Sequence, residues 1–184
     1  MKKHTLAFID LETTGTNPHK HEIVEIGCLL ARQIPQTGRG SRLEFIEDFD
    51  IRVKPVHLET AEPEALRING YNESDWLFAS DLKPALQTLV DKTADTIMVA
   101  QNITFDWSFL NRAFFDTGVE PRLHYHRIDL MSMAFMKLYH IEAVQRFSLW
   151  ALAEHFGIKQ ERAHTALDDV RVSYQIYSKL TQTA

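Results

Sequence analysis

The stretch Leu6-Ala7-Phe8-Ile9-Asp10-Leu11-Glu12-Thr13-Thr14-Gly15 decides how the rest of the chain is read. Its first four residues are apolar without alternation, as in a strand covered on both faces, and two carboxylates then follow two residues apart. Side chains repeat every second residue along a strand, so Asp10 and Glu12 project to one side with Cβ atoms about 7 Å apart. Such a gap can bracket two metal ions about 3.5–4 Å apart, the arrangement used for in-line phosphoryl chemistry. Read alone, the pair also fits a strand end with one solvated acid, because Asp-x-Glu is a common spacing.

Outward from this strand, Thr13 to Glu22 is turn-rich, with Gly15, Asn17 and Pro18. Ile23 to Ala31 is a second strand, close enough in sequence to run antiparallel to the first. Gln33 to Arg42 is a polar loop, and a third strand lies within Leu43 to Val53. Glu59 to Tyr71 mixes helix signals with Pro63 and Gly70. Asp81 to Lys92 is helical, with Leu82, Ala85, Leu86, Leu89 and Val90 on one face and Asp81 at the N-cap. Thr96 to Gln101 is a buried strand and Thr104 to Thr117 a helix closed by Gly118. A strand at Tyr125 to Leu130, a helix at Met131 to His140, a helix at Leu149 to Phe156 and a last helix from Ala163 to Leu180 complete the chain. Three meandering strands followed by alternating strands and helices imply a mixed sheet with helices packed on it.

Further acids stand where helical periodicity places them near the core. Asp106 shares its stripe with Phe109, Leu110 and Ala113, and a carboxylate on that face costs several kcal/mol, roughly, unless it is paired. A first-turn acid favoured by the helix dipole is the alternative. Asn102 can orient the loop or a substrate, while Phe105 and Trp107 can stack on a base or simply fill core. On the last helix, Asp169 shares its stripe with Ile176 and Leu180 and flanks the buried side. Asp168 shares its stripe with Gln175 and Lys179 and reads as a surface charge, so Asp169 is assigned to the site. His164 opens the same helix, and an imidazole there can take a proton from water. His19-x-His21 and His124-x-His126 lack a ligand framework of familiar spacing and read as surface or loop residues.

Taken together, Phe8-Ile9-Asp10-Leu11-Glu12-Thr13-Thr14-Gly15, Asn102-Ile103-Thr104-Phe105-Asp106 and His164-Thr165-Ala166-Leu167-Asp168-Asp169 resemble the three motifs of the DEDD exonuclease superfamily in its histidine-bearing branch. Ile68-Asn69-Gly70, and Ser148-Leu149 through Gly157-Ile158, are similar to supporting fragments of that family. The resemblance implies an RNase H-like α/β fold: a mixed five-stranded sheet, its first three strands an antiparallel meander, with helices on both faces. It implies 3′-to-5′ release of nucleoside monophosphates with two divalent cations, Mg²⁺ or Mn²⁺, held by Asp10, Glu12, Asp106 and Asp169. By the same analogy His164 is the general base, and backbone groups near Thr13 and Thr14 receive the terminal nucleotide.

The resemblance implies a single-stranded 3′ end as substrate. Thr13 stands where oligoribonuclease-like sequences carry Met, which favours DNA over RNA; an RNA-directed enzyme is the alternative, and a non-catalytic binding or scaffold protein is the alternative from another class. A polymerase complex and a homodimer are both compatible with the motifs.

The remaining bounds come from composition. The 184 residues, 45% hydrophobic and 24% charged, fit one domain with a full core. A net charge of -5 argues against a protein that coats nucleic acid with a broad basic surface, though not against one that meets phosphate through cations. The single cysteine, Cys28, reads as a packing thiol in a reducing, cytoplasmic setting. The basic start Met1-Lys2-Lys3-His4 is not followed by an uninterrupted apolar run, so neither a signal peptide nor a membrane span is expected.

Overall fold

A computed structural model describes residues 4–36, 40–159 and 165–182. The strands are β1 (Leu6–Thr13), β2 (Ile23–Pro35), β3 (Ser41–Arg52), β4 (Ile97–Ala100) and β5 (Arg127–Asp129). The helices are α1 (Pro63–Asn69), α2 (Leu82–Lys92), α3 (Ile103–Thr117), α4 (Leu130–Leu138), α5 (Leu149–Phe156) and α6 (Ala166–Gln182). One five-stranded sheet has the order β3-β2-β1-β4-β5, with β1, β2 and β3 antiparallel and β4 and β5 added in parallel. The mixed sheet and the meander are those expected from the sequence.

Alternation along β1 sorts the core into two layers. Ala7, Ile9 and Leu11 pack with Ile26, Cys28, Leu86, Leu89, Phe109 and Leu110, so α2 and α3 cover one face. Leu6 and Phe8 pack with Leu29, Leu130, Leu152, Val170, Ile176 and Tyr177, so α4, α5 and α6 cover the other. By the same period, Asp10 and Glu12 point to the α6 face. Cys28 is fully buried, and burial pushes its thiol pKa well up, in keeping with a packing role.

Two boundaries differ from the sequence reading. The segment Gln33 to Arg42 is not simply a loop: the β2–β3 ladder continues through Gln33↔Leu43 to Pro35↔Ser41, and Gln36 N–H donates to the Gly40 carbonyl at 2.9 Å. α6 packs on this extension as well: Tyr177 Oη donates to Gln33 Oε1 at 3.0 Å, and a Cβ on Gly40 would stand 2.1 Å from the Thr181 carbonyl oxygen. Asp81 precedes α2 without a side-chain cap, whereas Ser148 does accept from Ala151 N–H at the start of α5. No helix among the described residues is long and apolar enough to cross a membrane.

Candidate active site

The register of the sheet builds the site. Asp10 lies opposite Gly27, and Glu12 opposite Glu25, which itself pairs with Arg52 on β3. Gly27 leaves a gap that the first turn of α6 fills: a Cβ on Gly27 would stand 2.3 Å from the carbonyl carbon and oxygen of Ala166. With α6 seated there, Asp169 reaches the two acids of β1, and one carboxylate oxygen each from Asp10, Glu12 and Asp169 lie within 4.8 Å of one another. The helical stripe read from the sequence therefore selects the converging acid. Asp168 is less free than a surface charge, since only 20% of its side chain is exposed and Arg171 ties it to Asp48 of β3.

Asp106 arrives from the opposite face. β4 pairs with β1 only along Leu6 to Phe8, so beyond Phe8 that edge of β1 has no strand partner. The Leu11 N–H on β1 donates instead to Asp106 Oδ1 at 3.1 Å, and Asp106 is 2% exposed. Its carboxylate stands outside the tightest three-acid group, yet it is the strongest of the charges acting on Asp10.

The electrostatics are those of a site built for positive charge. Burial, followed by Asp106, Asp169, Glu12 and Glu25, raises the Asp10 pKa well above the carboxylate range. Burial, followed by Asp169, Glu25 and Asp106, pushes Glu12 to about 8. Among the described residues, the charges that shift Glu12 are thus other carboxylates. Asp106 is pushed up to about 8, chiefly by burial, against the lowering effect of its hydrogen bonds. An all-carboxylate donor set, buried and self-repelling, fits hard divalent cations such as Mg²⁺ or Mn²⁺.

The other expected residues fall as follows. Thr14 is fully buried and Thr13 nearly so. Their hydroxyls fold the β1–β2 loop: Thr13 Oγ1 donates to the Gly15 carbonyl at 2.7 Å, and Thr14 Oγ1 accepts from Glu22 N–H at 2.9 Å. Asn69 donates to the Thr13 carbonyl at 3.0 Å, and Glu62 N–H to the Thr14 carbonyl at 2.8 Å, which ties the loop to α1. Asn102 is exposed and takes a left-handed conformation (φ 59°) at the start of α3. Phe105 is half-buried against Phe109, with ring centroids 5.0 Å apart. His164 lies outside the described residues.

Sequence reasoning passed over Glu25 and Gly27 and left His21 among the surface or loop histidines. Glu25 is 4% exposed and is pushed to about 7, first by burial and then by Asp50. An acid inside the run Ile23-Val-Glu-Ile-Gly-Cys was the available signal. His21, read as a loop residue, is buried: its Nδ1 accepts from Asn17 N–H at 3.0 Å and its ring packs on bare Gly15.

A mixed sheet of this order, with acids gathered at the end of its central strand, places the protein among RNase H-like enzymes of the DEDD type. A family model described as Exonuclease matches residues 7–177. The chain is 26% identical over 179 residues to a PolC-type DNA polymerase III of Thermotoga maritima, covering 97% of this chain and 12% of that protein. It is 26% identical over 174 residues to the 3′-5′ exonuclease DinG of Staphylococcus aureus, covering 94% and 18%. Among solved structures, E. coli Exonuclease I in complex with a dT13 oligonucleotide superposes with a TM-score of 0.78 at 20% identity, over 97% of this chain and 41% of that one. The chain thus belongs to the exonuclease family, a family of enzymes, and spans 12–18% of the length of these curated relatives.

Proposed function

We propose that residues 1–184 form a single exonuclease domain that removes nucleoside monophosphates from the 3′ end of a single strand, DNA in preference to RNA. The observation that carries this is the convergence of Asp10, Glu12 and Asp169 within 4.8 Å, with Asp106 anchored beside them by Leu11 N–H. Relatives named as a DNA polymerase and a 3′-5′ exonuclease support the polarity and the substrate class.

When bound, two Mg²⁺ or Mn²⁺ ions would neutralise the scissile phosphate, activate the attacking water and stabilise the leaving oxygen. Asp10, Glu12, Asp106 and Asp169 would hold them at the ends of β1, α3 and α6. His164 accepts the proton of the attacking water, a task suited to a group titrating near neutrality. The β1–β2 loop, braced by Asn69 and His21, supplies a floor where backbone groups near Thr13 and Thr14 receive the terminal nucleotide. Asn102 and Phe105, at the start of α3, border the strand's approach.

The test uses 5′-labelled DNA and RNA strands of matched sequence, with Mg²⁺, with Mn²⁺ and with chelator. Stepwise shortening that a chelator abolishes, faster on DNA, is expected. Binding without shortening, or shortening indifferent to chelator, contradicts the proposal.

A further inference from the structure

The first turn of α3, which carries Asp106, follows closely on the end of β4 at Ala100, and the strands on either side of β4 both reach it. From β1, Leu11 N–H donates to Asp106 Oδ1. From β5, the last residue, Asp129, which lies opposite Ala100, accepts from Ile103 N–H through Oδ1 at 3.1 Å. The start of a helix ordinarily finds such an acceptor in its own N-cap side chain. Asn102, at that position, is left-handed (φ 59°, ψ 58°) and makes no side-chain cap bond, so the acceptor for α3 comes from 26 residues further along the chain. The second oxygen of Asp129, Oδ2, accepts from Ser132 N–H at 3.0 Å and from the Ser132 hydroxyl, which caps α4. Each oxygen thus serves one helix.

We infer that Asp129 is a positioning residue: by accepting the Ile103 N–H it clamps the first turn of α3 between β5 and β1 and so sets where Asp106 stands beside Asp10. This rests on the metal-dependent reading of the site and adds to it a residue outside the ligand set. The competing roles for Asp129 are to lend the cations one more negative charge and to cap α4 alone. Asp129→Asn separates the first, since its carboxamide oxygen can still accept from Ile103 N–H while its amide group donates to the Ser132 hydroxyl. Asp129→Ser separates the second, since serine is a preferred N-cap for α4 but its one short hydroxyl cannot serve both helices.

The experiment titrates Mn²⁺ calorimetrically into the full chain, as wild type, Asp129→Asn, Asp129→Ser and Asp129→Ala, with a thermal melt of each and the titration run below every melting transition. Asp129→Asn, which keeps the acceptor, is expected to bind Mn²⁺ within about threefold of the wild type. Asp129→Ala and Asp129→Ser are expected to bind at least about 10-fold more weakly, the usual consequence of removing a group that orients a ligand. Asp129→Ser, which keeps the α4 cap, decides the matter should Asp129→Ala fail to fold. A role confined to stability would lower the melting midpoint and leave the affinity of the folded chain unchanged. Wild-type affinity in Asp129→Ser or Asp129→Ala, or Asp129→Asn as weak as Asp129→Ala, therefore overturns the inference while leaving the metal site standing. A wild-type chain that binds no Mn²⁺ overturns the metal-site reading, and this inference with it.

Discussion

The parallel strands β1, β4 and β5 run between two clusters of titratable side chains that differ in kind. At their C-terminal end stand Asp10, Glu12, Asp106 and Asp169. At their N-terminal end His4, His124 and His126 stack, with centroids of 4.4 Å for His4–His124 and 5.0 Å for His124–His126. Counted as ligand types, the histidines look as promising as the acids, but the Nδ1 atoms of His4 and His124 are already engaged. His4 Nδ1 is 2.9 Å from the Asp95 carbonyl, and His124 Nδ1 accepts from His126 N–H at 3.1 Å. Among the described residues, only the acid end brings three potential ligand atoms within 4.8 Å. Stacking and hydrogen bonds occupy the histidines, whereas Asp10, Glu12 and Asp106 are packed beside further carboxylates whose charges raise their pKa values. The two ends differ in that concentration of like charge.

The largest effect expected from this contrast is on activity. Asp10→Ala should lower strand shortening by on the order of 1,000-fold, since on the proposed function it removes a ligand to the ions that would stabilise the transition state. His124→Ala at the other end should leave the rate within about twofold. Comparable losses in a labelled-strand assay would erase the distinction between the two ends.

Next comes a change that separates stability from function. Asp106→Asn keeps an acceptor for Leu11 N–H and removes one buried charge. Activity should fall about 100-fold, while the metal-free thermal midpoint at pH 9 rises by roughly 2–4 °C, the shift that about 1 kcal/mol gives in a chain of this size. A lowered midpoint would mean that the carboxylate is stabilising without metal.

The pH dependence sharpens the same point. Glu12 and Asp106 are each pushed up to about 8 in the folded protein, so between the ordinary carboxylate range and pH 8 the folded state binds more protons than the unfolded one. Their stabilising contribution is complete in acid and is lost as pH rises through about 8. The metal-free midpoint should therefore drop between pH 6 and pH 9, and Mg²⁺ should raise it more at pH 9, where the ligands are ionised. A metal-free midpoint that climbs over this range, followed by differential scanning calorimetry, would contradict the assignment.

Much of this was legible in the sequence, for reasons that also mark where legibility stops. Period two put Asp10 and Glu12 on one face, and a 100° helical step chose Asp169 over Asp168; both are local rules that need no partner. Glu25 and Gly27 matter only because β2 aligns them with Glu12 and Asp10, and that register is a tertiary fact. The reach of Asp106 likewise depends on β4 stopping after Ala100. The burial of His21 depends on its packing against Gly15 across the loop.

The most direct test of the convergence of acids sets two adjacent residues against each other: Mg²⁺-dependent shortening of a 5′-labelled single strand by Asp169→Ala and by Asp168→Ala. The geometry predicts near-complete loss for Asp169→Ala and a rate within about threefold of the wild type for Asp168→Ala, whose partly exposed ion pair with Arg171 is worth at most about 1 kcal/mol. Equal losses, or an active Asp169→Ala, would show that α6 does not deliver its acid to the end of β1.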